Sequence, residues 1–181
     1  MDPIVLAALE KWPNVPACRG WLGLDARGDW YMRDDRIQAA GPFPQSKGSR
    51  ITHEKLRQFI ERNYAADEAG CWFFQNGPQR VYVELEAAPW IWRLDGDGTS
   101  APRLRSHIGH RTEWVAAYAD EKGRLFLHTE LGFGLVHSMD MLLATVPIES
   151  GAWPLRDMLF ADMQRQFAYR CSPAAVHRGD I

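Results

Sequence analysis

The apolar positions along the chain change period several times, and each change predicts an element. Val5, Ala8, Leu9 and Trp12 recur at helical spacing behind Asp2 and Pro3, which predicts a helix over residues 3–12 stopped by Pro13. Two apolar arms, Trp21-Leu22-Gly23-Leu24 and Asp29-Trp30-Tyr31-Met32-Arg33, flank the turn Asp25-Ala26-Arg27-Gly28 and predict a hairpin within 20–37. Gly41, Pro42, Pro44 and Gly48 then mark residues 38–50 as a loop long enough to carry function. Leu56, Phe59, Ile60 and Tyr64 form the stripe of a second helix over 52–64, with Thr52 as its cap. From Cys71 the period falls to two. Cys71-Trp72-Phe73-Phe74 and Arg80-Val81-Tyr82-Val83-Glu84-Leu85-Glu86 flank Asn76-Gly77, the strongest short hairpin signal. Val81, Val83 and Leu85 point one way; Tyr82, Glu84 and Glu86 point the other. After Pro89, the strand Trp90-Ile91-Trp92-Arg93-Leu94 follows.

Residues 95–102, Asp-Gly-Asp-Gly-Thr-Ser-Ala-Pro, are turn-rich and give the domain boundary: an N-terminal half over 1–94 and a C-terminal half over 95–181. The C-terminal half opens its own hairpin, Trp114–Tyr118 and Arg124–His128 around Asp120-Glu121-Lys122-Gly123. Residues 139–147 fit a strand or a helix equally well, and Pro154 with Leu155, Met158, Leu159 and Met163 predicts a helix over 154–166. The tail from Ser172 has no pattern of its own. The two hairpins align at an offset of 95 residues, so that Asp25, Gly28, Tyr31 and Met32 fall on Asp120, Gly123, Phe126 and Leu127. The fold class is therefore α+β: two antiparallel β-rich halves with a related hairpin pattern, each with a packed helix. Neither half covers its aromatic face alone, so the two are expected to shelter each other and to leave a ligand cleft along the seam.

Composition narrows the function classes. The chain has 181 residues, 46% hydrophobic and 24% charged, a globular balance. Its formal net charge of −2 gives no drive toward nucleic acid or an anionic membrane. Met1-Asp2-Pro3 lacks the basic start of a signal peptide, and no apolar run approaches the ~20 residues that span a bilayer, so a cytoplasmic protein is expected. Cys18, Cys71 and Cys171 are odd in number and far apart, which fits reduced thiols. The Asp95-x-Asp97-Gly98 start of a calcium loop lacks its acid at the twelfth position, where Ser106 stands. His107-x-x-His110 encloses Gly109, a loop rather than a rigid metal-binding helix, so neither metal nor cofactor is expected.

The stretches Trp21-Leu22-Gly23-Leu24-Asp25-Ala26-Arg27-Gly28 and Cys71–Leu85 resemble members of an uncharacterised proteobacterial family. The order of features is also similar to a second family of unknown function. There a glycine-turn hairpin precedes a short helix and a strand pair ending in an acidic-Ala-Pro-aromatic element, here Glu86-Ala87-Ala88-Pro89-Trp90. That family's distal Pro-x2-Arg segment, followed by a leucine-rich turn, is also similar to the stretch at Pro154-Leu155-Arg156, which has one residue fewer between proline and arginine. That resemblance implies two β-rich halves with repeated motifs and a suggested role in signalling or small-ligand sensing. It implies no catalytic residue.

The strongest local charge feature is Arg103-Leu104-Arg105-Ser106-His107-Ile108-Gly109-His110-Arg111, which contains no acid. Guanidinium forks match carboxylates and phosphates. Strand alternation would place Arg103, Arg105 and His107 on one face. The candidate site is thus Arg103, Arg105, His107, His110 and Arg111 beside the aromatic arm of Trp90 and Trp92, binding a small anion. The competing reading is a strand kept soluble by charge and paired with Glu84, Glu86 and Asp95. There is no nucleophile elbow, phosphate-binding loop, dinucleotide fingerprint or His-Glu-x-x-His, which leans away from an enzyme. The expected function is a non-enzymatic binding or sensory module. The alternative is a structural or protein-interaction protein that dimerises through an aromatic sheet face.

Overall fold

The computed structural model describes residues 1–173; residues 174–181, which include His177 and most of the patternless tail, lie outside it. The chain forms two compact units. The first holds Met1–Asp25, Asp29–Glu86 and the segment from Tyr169; the second holds Ala26–Gly28 and Ala87–Ala168.

In the first unit, α1 (Pro3–Lys11) starts on its proline and buries Val5. A sheet runs β3-β2-β1-β6-β5-β4, built from β1 (Cys18–Leu24), β2 (Trp30–Met32), β3 (Ser49–Arg50), β4 (Tyr64–Ala66), β5 (Trp72–Asn76) and β6 (Gln79–Leu85). β1 and β2 are antiparallel, whereas β1 and β6 are parallel, so the sheet is mixed rather than purely antiparallel. The change arises because β6 returns beside β1 only after two helices have intervened. Those helices are α2 (Asp35–Ala40) and α3 (Glu54–Arg62). α2 occupies part of the predicted hairpin and loop. Asp34 starts it by accepting the Ile37 N–H at 2.9 Å. α3 is capped by His53, whose Nδ1 accepts the Leu56 N–H at 3.3 Å, one residue after the Thr52 expected. Its Ile60 is buried, and Phe59 meets Phe74 of β5 edge-on at 5.4 Å.

In the second unit the sheet runs β13-β10-β11-β12-β7-β8-β9. Its strands are β7 (Trp90–Asp95), β8 (Arg103–Ser106), β9 (Arg111–Thr112), β10 (Trp114–Ala119), β11 (Leu125–Thr129), β12 (Gly132–Val136) and β13 (Leu155–Asp157). β7, placed in the first half by the sequence reading, pairs with β8 and β12 here. Residues 139–147 resolve as helix: a 3-10 turn (Ser138–Asp140) runs into α4 (Met141–Glu149). The predicted helix over 154–166 is split. Leu155–Asp157 pair in parallel with the otherwise open edge of β10, and α5 (Phe160–Gln166) begins only afterwards. Edge pairing outweighs helical periodicity there. The Met158 N–H closes on the Ala119 carbonyl at 2.9 Å, and Glu121 accepts the Phe160 N–H at 2.9 Å.

The two aligned hairpin turns share one geometry. The Asp25 N–H donates to the Asp29 carbonyl at 3.0 Å, and the Asp120 N–H to the Arg124 carbonyl at 3.1 Å. Each aspartate also caps its own turn, Asp25 Oδ1 accepting from Asp29 N–H at 3.0 Å and Asp120 Oδ1 from Arg124 N–H at 2.8 Å. After each hairpin, a strand returns in parallel beside its first arm: β6 beside β1, and β13 beside β10.

Two indoles dominate one face of the second sheet. Trp90 and Trp92 stack at 5.9 Å, and the buried Trp92 Nε1 donates to the Leu127 carbonyl at 3.0 Å. They fit because the neighbouring strand carries Gly134 in register with Trp90. A Cβ there would lie 2.5 Å from Trp92 Nε1 and 2.6 Å from the Trp90 carbonyl oxygen. Backbone cannot yield to that methyl. Gly134→Ala is therefore expected to destabilise the protein by about 1–3 kcal/mol, read from the midpoint of chemical denaturation. An unchanged midpoint would mean that the indoles are not held by this strand.

Candidate functional site

The sheet sorts the sequence-predicted residues onto different faces. Trp92 opposes Ser106 and Leu94 opposes Leu104, so Trp90, Trp92 and Leu94 share one face with Leu104. Arg93 opposes Arg105, and Arg105 opposes Arg111. The arginines thus form a row across β7, β8 and β9 on the face opposite the two indoles. The expectation that they sit beside Trp90 and Trp92 does not hold, because sequence neighbours in a strand point apart.

The row is partly neutralised. Arg93 grips Asp140 through Nε at 2.6 Å and a second guanidinium nitrogen at 3.1 Å. Asp140 also accepts the Leu94 N–H at 3.1 Å, and these donors hold its carboxyl below the usual carboxylate range against the cost of burial. Arg105 Nε meets Asp95 at 2.8 Å. Glu86 pairs instead with Lys47, and Glu84 lies in the first unit. Arg103 and Arg111 are exposed and make no ion pair among the described residues.

His107 leaves the strand. The Ser106 N–H donates to the His110 carbonyl at 2.8 Å, and Gly109 takes the positive φ of 87° that this tight turn needs. The His107 ring turns toward Trp90, with centroids 6.0 Å apart, and His110 lies 6.4 Å from the same indole. His107 Nδ1 accepts the Ile91 N–H at 3.3 Å, and its Nε2 is buried. Burial first, and the charge of His110 second, push its pKa down to about 3. It is a neutral structural acceptor and brings no charge to the arginine row.

The structure gathers a different set of charges in the first unit, and sequence reasoning missed it. Opposite β6, β1 carries a bulge between Cys18 and Leu22, with Gly20 at φ 80°. Gly23 lies in register with Glu84. Neither glycine could carry a side chain: a Cβ on Gly20 would meet Gln38 Oε1 at 2.3 Å, and one on Gly23 the Phe43 ring at 2.6 Å. Arg33, only 3% exposed, reaches the same bulge. Its guanidinium donates to the carbonyls of Gly20 at 3.0 Å, Gly41 at 2.8 Å and Ser46 at 2.9 Å. One side chain thus ties the strand bulge to both ends of the 41–46 loop. The Gln38 amide closes on the Arg33 carbonyl at 3.0 Å, and Lys47 anchors the next turn to Asp25 at 3.0 Å and Glu86 at 2.8 Å.

Beside this clamp is a cavity of about 500 Å3, lined by Gly20, Arg33, Gln38, Phe43, Glu84 and Ser172 among others. Glu84 is 7% exposed and has no ion pair within 4.0 Å among the described residues. Burial pushes its carboxyl above the usual range, partly offset by the hydrogen bond with Ser172 and by the Arg33 charge. The C-terminal segment brings Ser172 there: Leu85 N–H donates to the Cys171 carbonyl at 2.7 Å, and Arg170 N–H to the Gly70 carbonyl at 3.0 Å. The signal that could have found the site is Glu84 itself, an acid inside Val-Tyr-Val-Glu-Leu facing a glycine-spaced strand.

A model of the DUF2944 family, described as "Protein of unknown function (DUF2946)", matches residues 1–174. The chain belongs to this family. No curated protein matches it. Among solved structures, it is similar to a DUF1285 family protein from Silicibacter pomeroyi DSS-3, at 12% identity and a TM-score of 0.46, over 78% of this chain and 81% of that one. It is also similar to a DUF1285 family protein from Shewanella baltica OS155, at 14% identity and a TM-score of 0.43, over 73% of this chain and 90% of that one. Among the described residues, this DUF2944 member has no helix long and apolar enough to cross a membrane.

The His107 environment has a pH signature. The unfolded imidazole takes up a proton near 6.5, whereas the folded one resists until about 3. The unfolded state therefore binds more protons between those values, and stability falls as pH drops through that window. His107→Gln removes this slope. The expected result is a smaller loss of stability between pH 7 and about 4.5 in the variant, by roughly 2 kcal/mol, measured by urea denaturation at both values. Parallel slopes would contradict the assignment.

Proposed function

We propose that the protein is a non-enzymatic binding or sensory module for a small polar ligand, and that the Arg33–Glu84 cavity is its site. One observation carries the reading: a carboxyl that is almost wholly buried, without an ion-pair partner among the described residues, opens into about 500 Å3 of space. Burying such a group is costly unless something compensates it. A bound ligand supplies that compensation, whereas a merely structural role would favour an apolar residue.

The test is a thermal-shift screen of polar metabolite classes (amino acids, sugars, nucleosides, polyols and carboxylic acids) on the wild type and on Glu84→Gln. At least one class should raise the wild-type melting temperature and raise that of the variant less. The reading fails if no class acts, or if the variant responds equally.

A second reading is favoured by the arginine row. Like charges placed directly opposite across strands are destabilising, yet Arg93, Arg105 and Arg111 stand so, with Arg103 nearby and, among the described residues, only Asp95 and Asp140 paired against them. A di- or tricarboxylate, or a phosphate, would bridge the exposed guanidinium groups. Citrate and pyrophosphate titrations should then stabilise the wild type at low salt, more weakly at physiological salt, and leave Arg105→Glu unaffected. An equal response from that variant would dismiss this reading.

A further inference from the structure

The cavity in the first unit presents two opposite charges to one small space. Arg33 supplies a permanent cation and Glu84 a carboxyl whose pKa burial raises above the usual range. Three of the five guanidinium N–H donors are used by backbone carbonyls, which leaves two without an acceptor among the described residues. Gln38, which also lines the cavity, spends an amide N–H on the Arg33 carbonyl, and its Oε1, packed against Gly20, is left as an acceptor. The Ser172 hydroxyl sits beside Glu84. Donors and acceptors therefore gather around the same hollow, with Pro42 and the Phe43 ring as its apolar wall.

That arrangement discriminates between ligand classes. A simple amine would neutralise Glu84 but face the Arg33 charge uncompensated. A simple carboxylate would meet Arg33 but be repelled by Glu84 once ionised. A neutral polyol would leave the buried carboxyl without a counter-charge. A molecule carrying both signs on groups attached to one carbon answers both residues. We propose that the cavity binds the zwitterionic head of a free α-amino acid. Its ammonium is held by Glu84, Gln38 Oε1 and Ser172. Its carboxylate is held by the unspent N–H groups of Arg33, and its side chain lies along Phe43. This rests on the reading of the Arg33–Glu84 cavity as the ligand site and names its ligand class.

The experiment uses the full chain and isothermal titration near pH 7.5. Each common L-amino acid is compared with its N-acetyl and α-amide derivatives, which remove the positive and the negative charge in turn. At least one free amino acid should bind saturably. Both of its derivatives should bind weaker by about tenfold or more, the scale of losing one charged hydrogen-bonded contact. Glu84→Gln should reproduce the loss while keeping the wild-type far-ultraviolet circular dichroism. Arg33 is probed only from the ligand side, because replacing it would release the 41–46 loop. The inference is overturned if no free amino acid binds, or if either derivative binds as well as the parent. Should some non-zwitterionic molecule bind in a Glu84-dependent way, the ligand class is wrong and the site reading stands. If nothing binds in a Glu84-dependent way, both fall.

Discussion

A guanidinium inside a protein keeps its charge at any physiological pH, so the fold must bring acceptors to it. Arg33 is met by backbone carbonyls, at Gly20 in a strand bulge and at Gly41 and Ser46 in the following loop. Carbonyls carry dipoles rather than full charges. The clamp therefore fixes the geometry of a loop rich in glycine and proline without cancelling the cation it is built on. Glu84, in register with Gly23 on the neighbouring strand, lies near enough to feel that charge and yet forms no ion pair with it. A cavity lined by Arg33 and Glu84, which form no ion pair with each other, is the consequence.

Glycine placement makes this possible in both units, for opposite ends. In the first, Gly20 and Gly23 leave room on β1 for Gln38 and Phe43, and Arg33 reaches the Gly20 carbonyl. In the second, Gly134 clears β12 so that two indoles can lie against it, and that space is filled. The same device yields a packed aromatic core in one sheet and a polar hollow in the other. The related Asp-x-x-Gly turns and the parallel return strands show that the two units share a local plan, and what occupies the cleared face distinguishes them.

Much of the architecture was legible in the chain because its signals are local. Asn76-Gly77 turns β5 into β6, the Pro3 start gives α1, and the Asp-x-x-Gly pattern gives both hairpin turns. The misreadings share a cause: they depend on partners distant in sequence. Leu155–Asp157 carry a helical stripe but are taken by the open edge of β10. The strand alternation expected of Arg103, Arg105 and His107 ends at the turn that Gly109 makes, and it separates the arginines from Trp90 and Trp92. Arg33 reads as the last residue of a hairpin arm and Glu84 as a partner for the basic stretch. The apolar neighbours of Glu84 mark it as unusual, but they do not reveal which distant segments, a β1 bulge, a loop and the C-terminal stretch, converge there.

The central claim is that Glu84 is a buried, available carboxyl beside an unneutralised but fully anchored Arg33. Its titration, followed by side-chain carboxyl chemical shifts in isotope-labelled protein, addresses this most directly. The account predicts a midpoint above that of an ordinary glutamate, because desolvation outweighs the Ser172 hydrogen bond and the Arg33 charge. A midpoint at or below the ordinary value would mean that the two residues neutralise each other, and the cavity would then have no unmet charge to offer a ligand.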